Sequence, residues 1–245
     1  MTRFAARHPA TAHTFVSVLD DDVTLDGEAG HHLSRVRRLR SGESVTAADG
    51  EGCWRPYAVV RVRPGAVELH AQGAAVVEPQ LEPRLVVAFA LTKGTKPDLA
   101  VQKLTELGVD GVTLLSTRRS VPRWGETRTD AALDRLRRIA REAAIQCRRA
   151  RLPALDGLHP VAELRGRPGL VVADPAGGDL AGLAAPLGGE WSLVVGPEGG
   201  FAPDEEAALE SAARLRLGPH VLRAETAALA GAAVLATRRL PPPDG

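Results

Sequence analysis

Residues 191–209 read WSLVVGPEGGFAPDEEAAL, and this stretch decides the fold class. The apolar run 193–195 has the character of a short strand buried on both faces. It leads directly into Gly196-Pro197-Glu198-Gly199-Gly200. Pro203 then sits where a first helical turn accepts proline, and Asp204, Glu205 and Glu206 supply the negative charge a helix N-terminus favours. Strand, glycine loop and helix make one unit of a parallel α/β sheet, and such sheets bind ligands at the carboxyl ends of their strands, where this loop lies. The glycines permit a sharp turn and a close ligand approach. The spacing is neither G-x-G-x-x-G nor G-x-x-x-x-G-K-[ST], and the acidic turn disfavours a phosphate. The loop suits a cationic or neutral ligand, or serves simply as a tight turn.

Working outward, the same alternation continues on both sides. LVVAFAL (85–91) is a continuous apolar run, as expected of a buried strand. Residues 97–107 carry Ala100, Leu104 and Leu107 on one helical face, with Gly108 as the stop. Strands are expected at 112–115, 170–173 and 215–217. Helices are expected at 130–149, 203–213 and 225–239, the first with Leu133, Leu136, Ala140 and Ala143 on its apolar stripe. In LRLGPHVLRAETAALAGAAVL (215–235) a second loop opens an alanine-rich helix, with Thr226 placed to cap it and Arg223 to pair with Glu225.

The N-terminal part has a different period. TFVSV (14–18) and 44–47 are strand-like, Asp49-Gly50 signals a hairpin, and 54–62 and 66–70 flank Pro64-Gly65 as a second hairpin. GEAGHHLSRVRRLRSG (27–42) reads as a short helix. The proline-bearing stretch QGAAVVEPQLEPR (72–84) breaks the pattern, so a boundary is expected there, dividing residues 1–75 from 76–245.

A formal net charge of +1 argues against a uniformly basic nucleic-acid coat but leaves room for local basic patches. Two such patches stand out. His31, His32, Arg35, Arg37, Arg38 and Arg40 crowd one segment, and Arg148, Arg149 and Arg151 close REAAIQCRRARLP (141–153). Either is a solvated basic face or a contact for nucleic-acid phosphate. Lys93, Lys96 and Lys103, the lysines of an otherwise arginine-based chain, all fall in TKGTKPDLAVQK (92–103), as chance or because a compact ammonium is needed there for phosphate. Adjacent histidines do not share a helix face, so His31 and His32 are not read as a metal pair. Cys53 and Cys147 lack metal-ligand spacing, and neither a secretory signal nor a membrane-spanning run is evident, so a cytoplasmic protein without a metal is expected.

Taken in order, HHLSRVRRLRSGE, the DGEG turn, LTKGTKPDLAVQKLTELGV, STRRS, EAAIQCRRARLP, VVGPEGGF and LGPHVLRAETA cover most of the chain. Together they resemble the RsmE family of the SPOUT superfamily, bacterial methyltransferases of small-subunit ribosomal RNA. The resemblance implies an α/β domain with a SPOUT-type parallel sheet and a C-terminal trefoil knot, preceded by a small β-rich PUA-like domain that binds RNA. It implies a homodimer that uses S-adenosylmethionine to methylate N3 of a uridine in 16S ribosomal RNA. By position, Gly196, Glu198, Gly199 and Gly200 border the cofactor, Leu217, Gly218, Leu222 and Arg223 form the other wall, and Asp174 forms part of the rim. Arg119 and Arg149 match arginines expected to face RNA, and His32, Arg35, Arg38, Lys93 and Lys96 are assigned to the same partner. One departure is that Ile145-Gln146 stands where the family pattern has Glu-Gln, and Arg148 replaces a small residue.

Uridine N3 carries a proton and is a poor nucleophile until that proton leaves. Arg223 is therefore the candidate for stabilising the anion, with Glu225 and Glu198 as candidate bases or orienting groups. Two alternatives remain at this stage: a SPOUT enzyme acting on another RNA base or a ribose, and a non-catalytic RNA-binding ribosome-assembly factor.

Overall fold

The structure is a computed structural model and describes residues 10–92, 94–120, 126–186 and 189–239. The chain forms two compact units. One takes the chain up to Pro79 together with Ala144–Leu152, and the other takes Gln80–Ala143 and everything after Leu152.

The first unit is a six-stranded sheet. Its elements are β1 (Ala12–Phe15), β2 (Asp22–Leu25), α1 (Gly27–His31), β3 (Ser44–Ala48), β4 (Cys53–Arg63), β5 (Ala66–Ala71) and β6 (Val76–Val77). The order is β1-β3-β4-β5-β2, with β6 beside β4. Val45, Tyr57, Val67 and Leu69 are wholly buried at its centre. The expected helix over 27–42 is shorter: α1 gives way to a π-helical turn at His32–Val36, and Arg38 adopts a left-handed φ of 54°. Strand β2 was not anticipated, since DVTL is short and its outer face is polar.

Residues 144–152 complete this unit. Ala144 and Ala150 pack with Phe15, Ala48 and Trp54, and Ile145 lies against the same cluster. The buried His13 ring donates from Nε2 to the Arg149 carbonyl at 2.9 Å and meets the Thr46 hydroxyl through Nδ1 at 2.8 Å. Leu152 N donates to Gly50 O, and Gly52 N to Ala150 O. Ile145 is thus an apolar packing residue, which fits its departure from the acidic family pattern.

The second unit holds β7 (Arg84–Ala90), α2 (Lys96–Glu106), β8 (Gly111–Ser116), most of α3 (Glu126–Cys147), β9 (Ala154–Pro160), β10 (Leu170–Gly178), β11 (Glu190–Val195), α4 (Pro203–Ala208), β12 (Ala213–Leu215) and α5 (Ala224–Ala236). The sheet runs β12-β10-β11-β7-β8-β9, with all the paired strands parallel. Burial on both faces explains the unbroken apolar runs of β7 and β11. Leu85, Val87, Phe89, Trp191 and Leu193 pack with Leu104, Leu136 and Leu235 from three helices. Gly231 of α5 lies so close to Leu193 that an added Cβ would come within 2.5 Å of its Cδ2. That close approach is what the small residues of α5 provide.

Two expected boundaries move, and one strand is added. The helix expected over 203–213 ends at Ala208, because Ala213–Leu215 is drawn into β12, whose pairing with β10 requires extended chain. The helix expected to reach 239 ends at Ala236, and Arg239 turns inward. Its guanidinium meets the Asp110 carboxylate and donates to the carbonyls of Pro83, Gly108 and Leu81. Strand β9, unexpected in a segment containing Gly157 and Pro160, pairs along the edge with β8.

Candidate functional site

The carboxyl ends of β10 and β11 open into a cavity of about 300 Å³ within the second unit. One wall is the loop after β11, the other the loop between β12 and α5. Val172, Val195, Leu217, Leu222 and Ala227 give it an apolar lining, while Asp174, Glu198 and Glu206 bring carboxylates and Arg214 a guanidinium. Of the residues expected around a cofactor, Asp174, Gly196, Glu198, Gly200, Leu217, Gly218 and Leu222 line this space, and Gly199 and Arg223 do not. Phe201, Glu206, Arg214 and His220 line it too and were not picked out from sequence.

The glycine loop is shaped by its own backbone. Gly200 sits at φ +71° and donates to the Pro197 carbonyl at 2.8 Å, which closes the turn. At Gly196 an added Cβ would lie 2.9 Å from the buried Phe201 ring, so this position needs glycine for packing. Gly199 is different: its nearest neighbour is the Arg119 side chain at ordinary contact distance, 3.6 Å. Gly218, in the opposite wall, has open space where a side chain would be.

Glu205 fastens the loop to its surroundings. Its buried carboxylate accepts from Ala202 N through Oε2 and from Arg118 N through Oε1, both at 2.8 Å. The strand-β8 loop STRRS is thereby tied to the start of α4, and an Arg118–Asp204 ion pair at 3.0 Å adds a second tie. Arg119 donates to the Gly199 carbonyl at 2.8 Å. The signal available in sequence was a glutamate at the third helical position, the acidic half of a capping box.

The acidic side of the cavity is organised by one cation. Arg214 reaches Glu206 at 2.8 Å and Asp174 at 3.5 Å, and the other Asp174 oxygen accepts from Ala176 N. Beside the loop, Lys96 at the start of α2 stands 3.7 Å from Glu198 and 3.2 Å from Glu225. The expected Arg223–Glu225 pairing is replaced by this Lys96–Glu225 pair. Glu225 Oε2 is buried without a hydrogen-bond partner among the described residues. Arg223 is exposed, and its carbonyl, not its side chain, caps α5 by accepting from Ala227 N.

The expected RNA contacts are distributed over both units. His32, Arg35 and Arg38 are exposed around the π-helical turn, and none of them is ion-paired to a described residue. Arg149 is half-buried, with its carbonyl held by His13. Lys96 and Arg119 lie against the glycine loop, as described. Lys93 lies outside the described residues. Among the described residues no group of three or more His, Cys, Asp or Glu side chains is placed to hold a metal ion, and no helix is long and apolar enough to cross a membrane.

The chain joins two units, a parallel α/β sheet with a glycine-walled cavity at the carboxyl ends of its strands and a small β-sheet unit, and its family matches make it an RNA-modifying protein. Residues 79–236 match the family described as RNA methyltransferase domain, and residues 25–70 match RNA methyltransferase PUA domain. The chain belongs to the ribosomal RNA small subunit methyltransferase E family. It is 37% identical over 228 residues to the family member of Mycobacterium bovis, covering 87% of each chain, and 28% identical over 220 residues to that of Bacillus subtilis, covering 84% of this chain and 86% of the relative. A methyltransferase of Legionella pneumophila, solved in complex with SAM, superposes with a TM-score of 0.80 at 25% identity, covering 93% of this chain and 97% of that one. The ribosomal RNA small subunit methyltransferase E of Neisseria gonorrhoeae shares the fold, with a TM-score of 0.81.

Proposed function

We propose that this protein transfers a methyl group from S-adenosylmethionine to N3 of a uridine in the 16S RNA of the small ribosomal subunit, in the cytoplasm and as a homodimer. The observation that carries this reading is the cavity itself: glycine backbone on one side, apolar walls, and a carboxylate rim without a phosphate-binding loop. That chemistry fits a cofactor with a cationic centre and a flat apolar base. When bound, S-adenosylmethionine supplies an activated methyl group.

The chain's own residues supply the rest. Gly196 and Gly218 let the ligand reach the backbone, and Asp174, Glu198 and Glu206 offer acceptors along the rim. Gly200, Leu217 and Leu222 shape the two walls, and Gly199 stands behind them against Arg119. Glu225, with Oε1 held by Lys96 and Oε2 without a partner among the described residues, is the candidate acceptor of the N3 proton. Arg223, exposed at the same helix start, is the candidate guanidinium for the anion left on the base. N3 lies on the pairing edge, so the target uridine is unpaired or flipped when it reaches the site. His32, Arg35 and Arg38 contact RNA phosphate from the first unit, and Lys93, Arg119 and Arg149 add to that footprint. After the edge strand β12 the chain returns to pack α5 on β7 and β11, a path in keeping with the knotted C-terminus of the superfamily.

The test is to incubate the protein with unmodified small subunits and methyl-labelled S-adenosylmethionine and map the product by mass spectrometry. Label at N3 of one 16S uridine is the expected result. Label on another base or a ribose overturns the site of transfer, and no label despite saturable cofactor binding favours a binding protein. Sedimentation at micromolar concentration is expected to give the mass of two chains.

A further inference from the structure

We infer that Arg119 is a positioning residue that couples RNA binding to cofactor binding, a step that rests on the function proposed above. The observation is that an exposed arginine is built into the cofactor loop. One N–H of its guanidinium donates to the Gly199 carbonyl at 2.8 Å. Its side chain lies against both Gly199 and Gly200, with nearest approaches of 3.6 and 3.8 Å to their added Cβ positions. A guanidinium has five donors in a fixed fork. The remaining donors of Arg119 have no other partner among the described residues and face solvent.

The backbone beneath Arg119 is held firmly. Glu205 bonds Arg118 N and Ala202 N with its two oxygens, and the Thr117 hydroxyl bonds that of Ser120 at 2.8 Å. The 117–120 loop and the loop at 196–202 are therefore braced together, whereas the long Arg119 side chain is exposed and tied to Gly199 by the one hydrogen bond given above. Ordering such a side chain costs conformational entropy. A phosphate gripped by the open edge of the fork orders it in the conformer that also holds Gly199. The cofactor loop is then fixed before the cofactor arrives, and the second ligand binds with less to order. By linkage, cofactor binding strengthens RNA binding by the same factor. Lysine does not reproduce this, because an ammonium is a point charge without a planar fork to bridge a carbonyl and a phosphate in fixed geometry.

The experiment measures the affinity of S-adenosylhomocysteine by titration calorimetry, with and without saturating unmodified small subunits, for the full-length protein and its Arg119→Lys and Arg119→Ala variants. The wild type is expected to bind the nucleoside about 5- to 10-fold more tightly with RNA present, the low end of ordinary allosteric couplings. Arg119→Lys is expected to retain most of the RNA affinity and to lose most of that coupling, which separates positioning from charge. Arg119→Ala is expected to weaken RNA binding and abolish the coupling. Undiminished coupling in both variants, or none in the wild type, overturns the inference while leaving the proposed function standing. Failure of the wild type to bind the nucleoside under either condition overturns the proposed function, and the coupling with it.

Discussion

Arg239 and Asp110, distant in sequence, form a buried ion pair at the end of the parallel-sheet unit, both side chains less than a tenth exposed. Asp110 also accepts from Leu85 N near the start of β7, and Arg239 also holds the carbonyls of Leu81, Pro83 and Gly108. The chain following α5 is thus pinned to the segment that enters β7. Removing one partner leaves the other charged and buried, so Arg239→Met is expected to cost about 3–5 kcal/mol of unfolding free energy. Urea denaturation checks this. A cost under about 1 kcal/mol would mean the charge finds water instead. Because apolar replacement of both partners of a buried pair is often well tolerated, Arg239→Met combined with Asp110→Leu is expected to be more stable than Arg239→Met alone.

The glycines of the loop after β11 are not equivalent. Gly196→Ala drives a methyl group into the Phe201 ring, while Gly199→Ala makes ordinary contact with Arg119. Overpacking of this kind costs about 1–3 kcal/mol. Gly196→Ala is therefore expected to weaken cofactor binding about 5- to 140-fold, the tenfold-per-1.4-kcal/mol equivalent of that strain when it falls on the ligand-bound loop. Gly199→Ala is expected to bind within about 3-fold of wild type, since it adds no strained contact. Calorimetric titration of both variants decides the ranking, and equal losses would sink it.

Glu225→Gln keeps the shape of the side chain and removes its capacity to take a proton. Loss of a general base commonly costs about 10²–10⁴-fold. Single-turnover methylation is expected to slow by that order, with cofactor affinity retained. A variant as fast as wild type would remove Glu225 from the proton path and move attention to Glu198.

His159 supplies a pH signature away from the cavity. Its ring bonds Glu163 through Nδ1 at 2.7 Å and Asp156 through Nε2 at 3.0 Å. The Glu163 hydrogen bond, followed by the one to Asp156, holds its pKa above the usual histidine value. The folded state therefore binds the proton more tightly than the unfolded chain. The stabilisation is complete below the unfolded value, near pH 6.5, and is lost as pH rises through the folded value. Since the partner carboxylates are half-exposed or more, the gain is expected to stay under about 1 kcal/mol. The stability difference between wild type and His159→Gln, measured from pH 5 to 8, is expected to shrink with rising pH. A difference that grows instead would reverse the sign of the assignment.

How much of this was legible in the sequence depended on the range of the forces involved. β7 and β11 declared themselves because burial on both faces leaves an unbroken apolar run, and the loop after β11 because glycine and proline act locally. Strands β2 and β9 did not, since each gains its pairing from a distant partner, β5 and β8 respectively. The length of α4 was misjudged for the same reason: β12 exists through its register with β10. At the site, the glycine walls were readable from composition. The cations that brace them were not, because Lys96 finds Glu225, Arg119 the Gly199 carbonyl and Arg214 the Asp174 carboxylate across long separations in the chain. Ile145 could be seen to depart from the family pattern, but its place beside the Phe15–Trp54 cluster needed the fold.

That cluster bears on how the gene can be cut. Ala144 and Ala150 fill the space beside Phe15 and Trp54, and the Arg149 carbonyl satisfies the otherwise sealed His13 ring. A fragment ending at the linker near Pro79 lacks all three, so it exposes a raw apolar surface and takes the Arg149 carbonyl away from His13 Nε2. The β-rich half is consequently not a detachable cassette: during translation it stays unfinished until residue 152 has emerged, by which time much of the other half has already been made. A recombination that swaps this half between relatives must carry the distant nine-residue insert along with it.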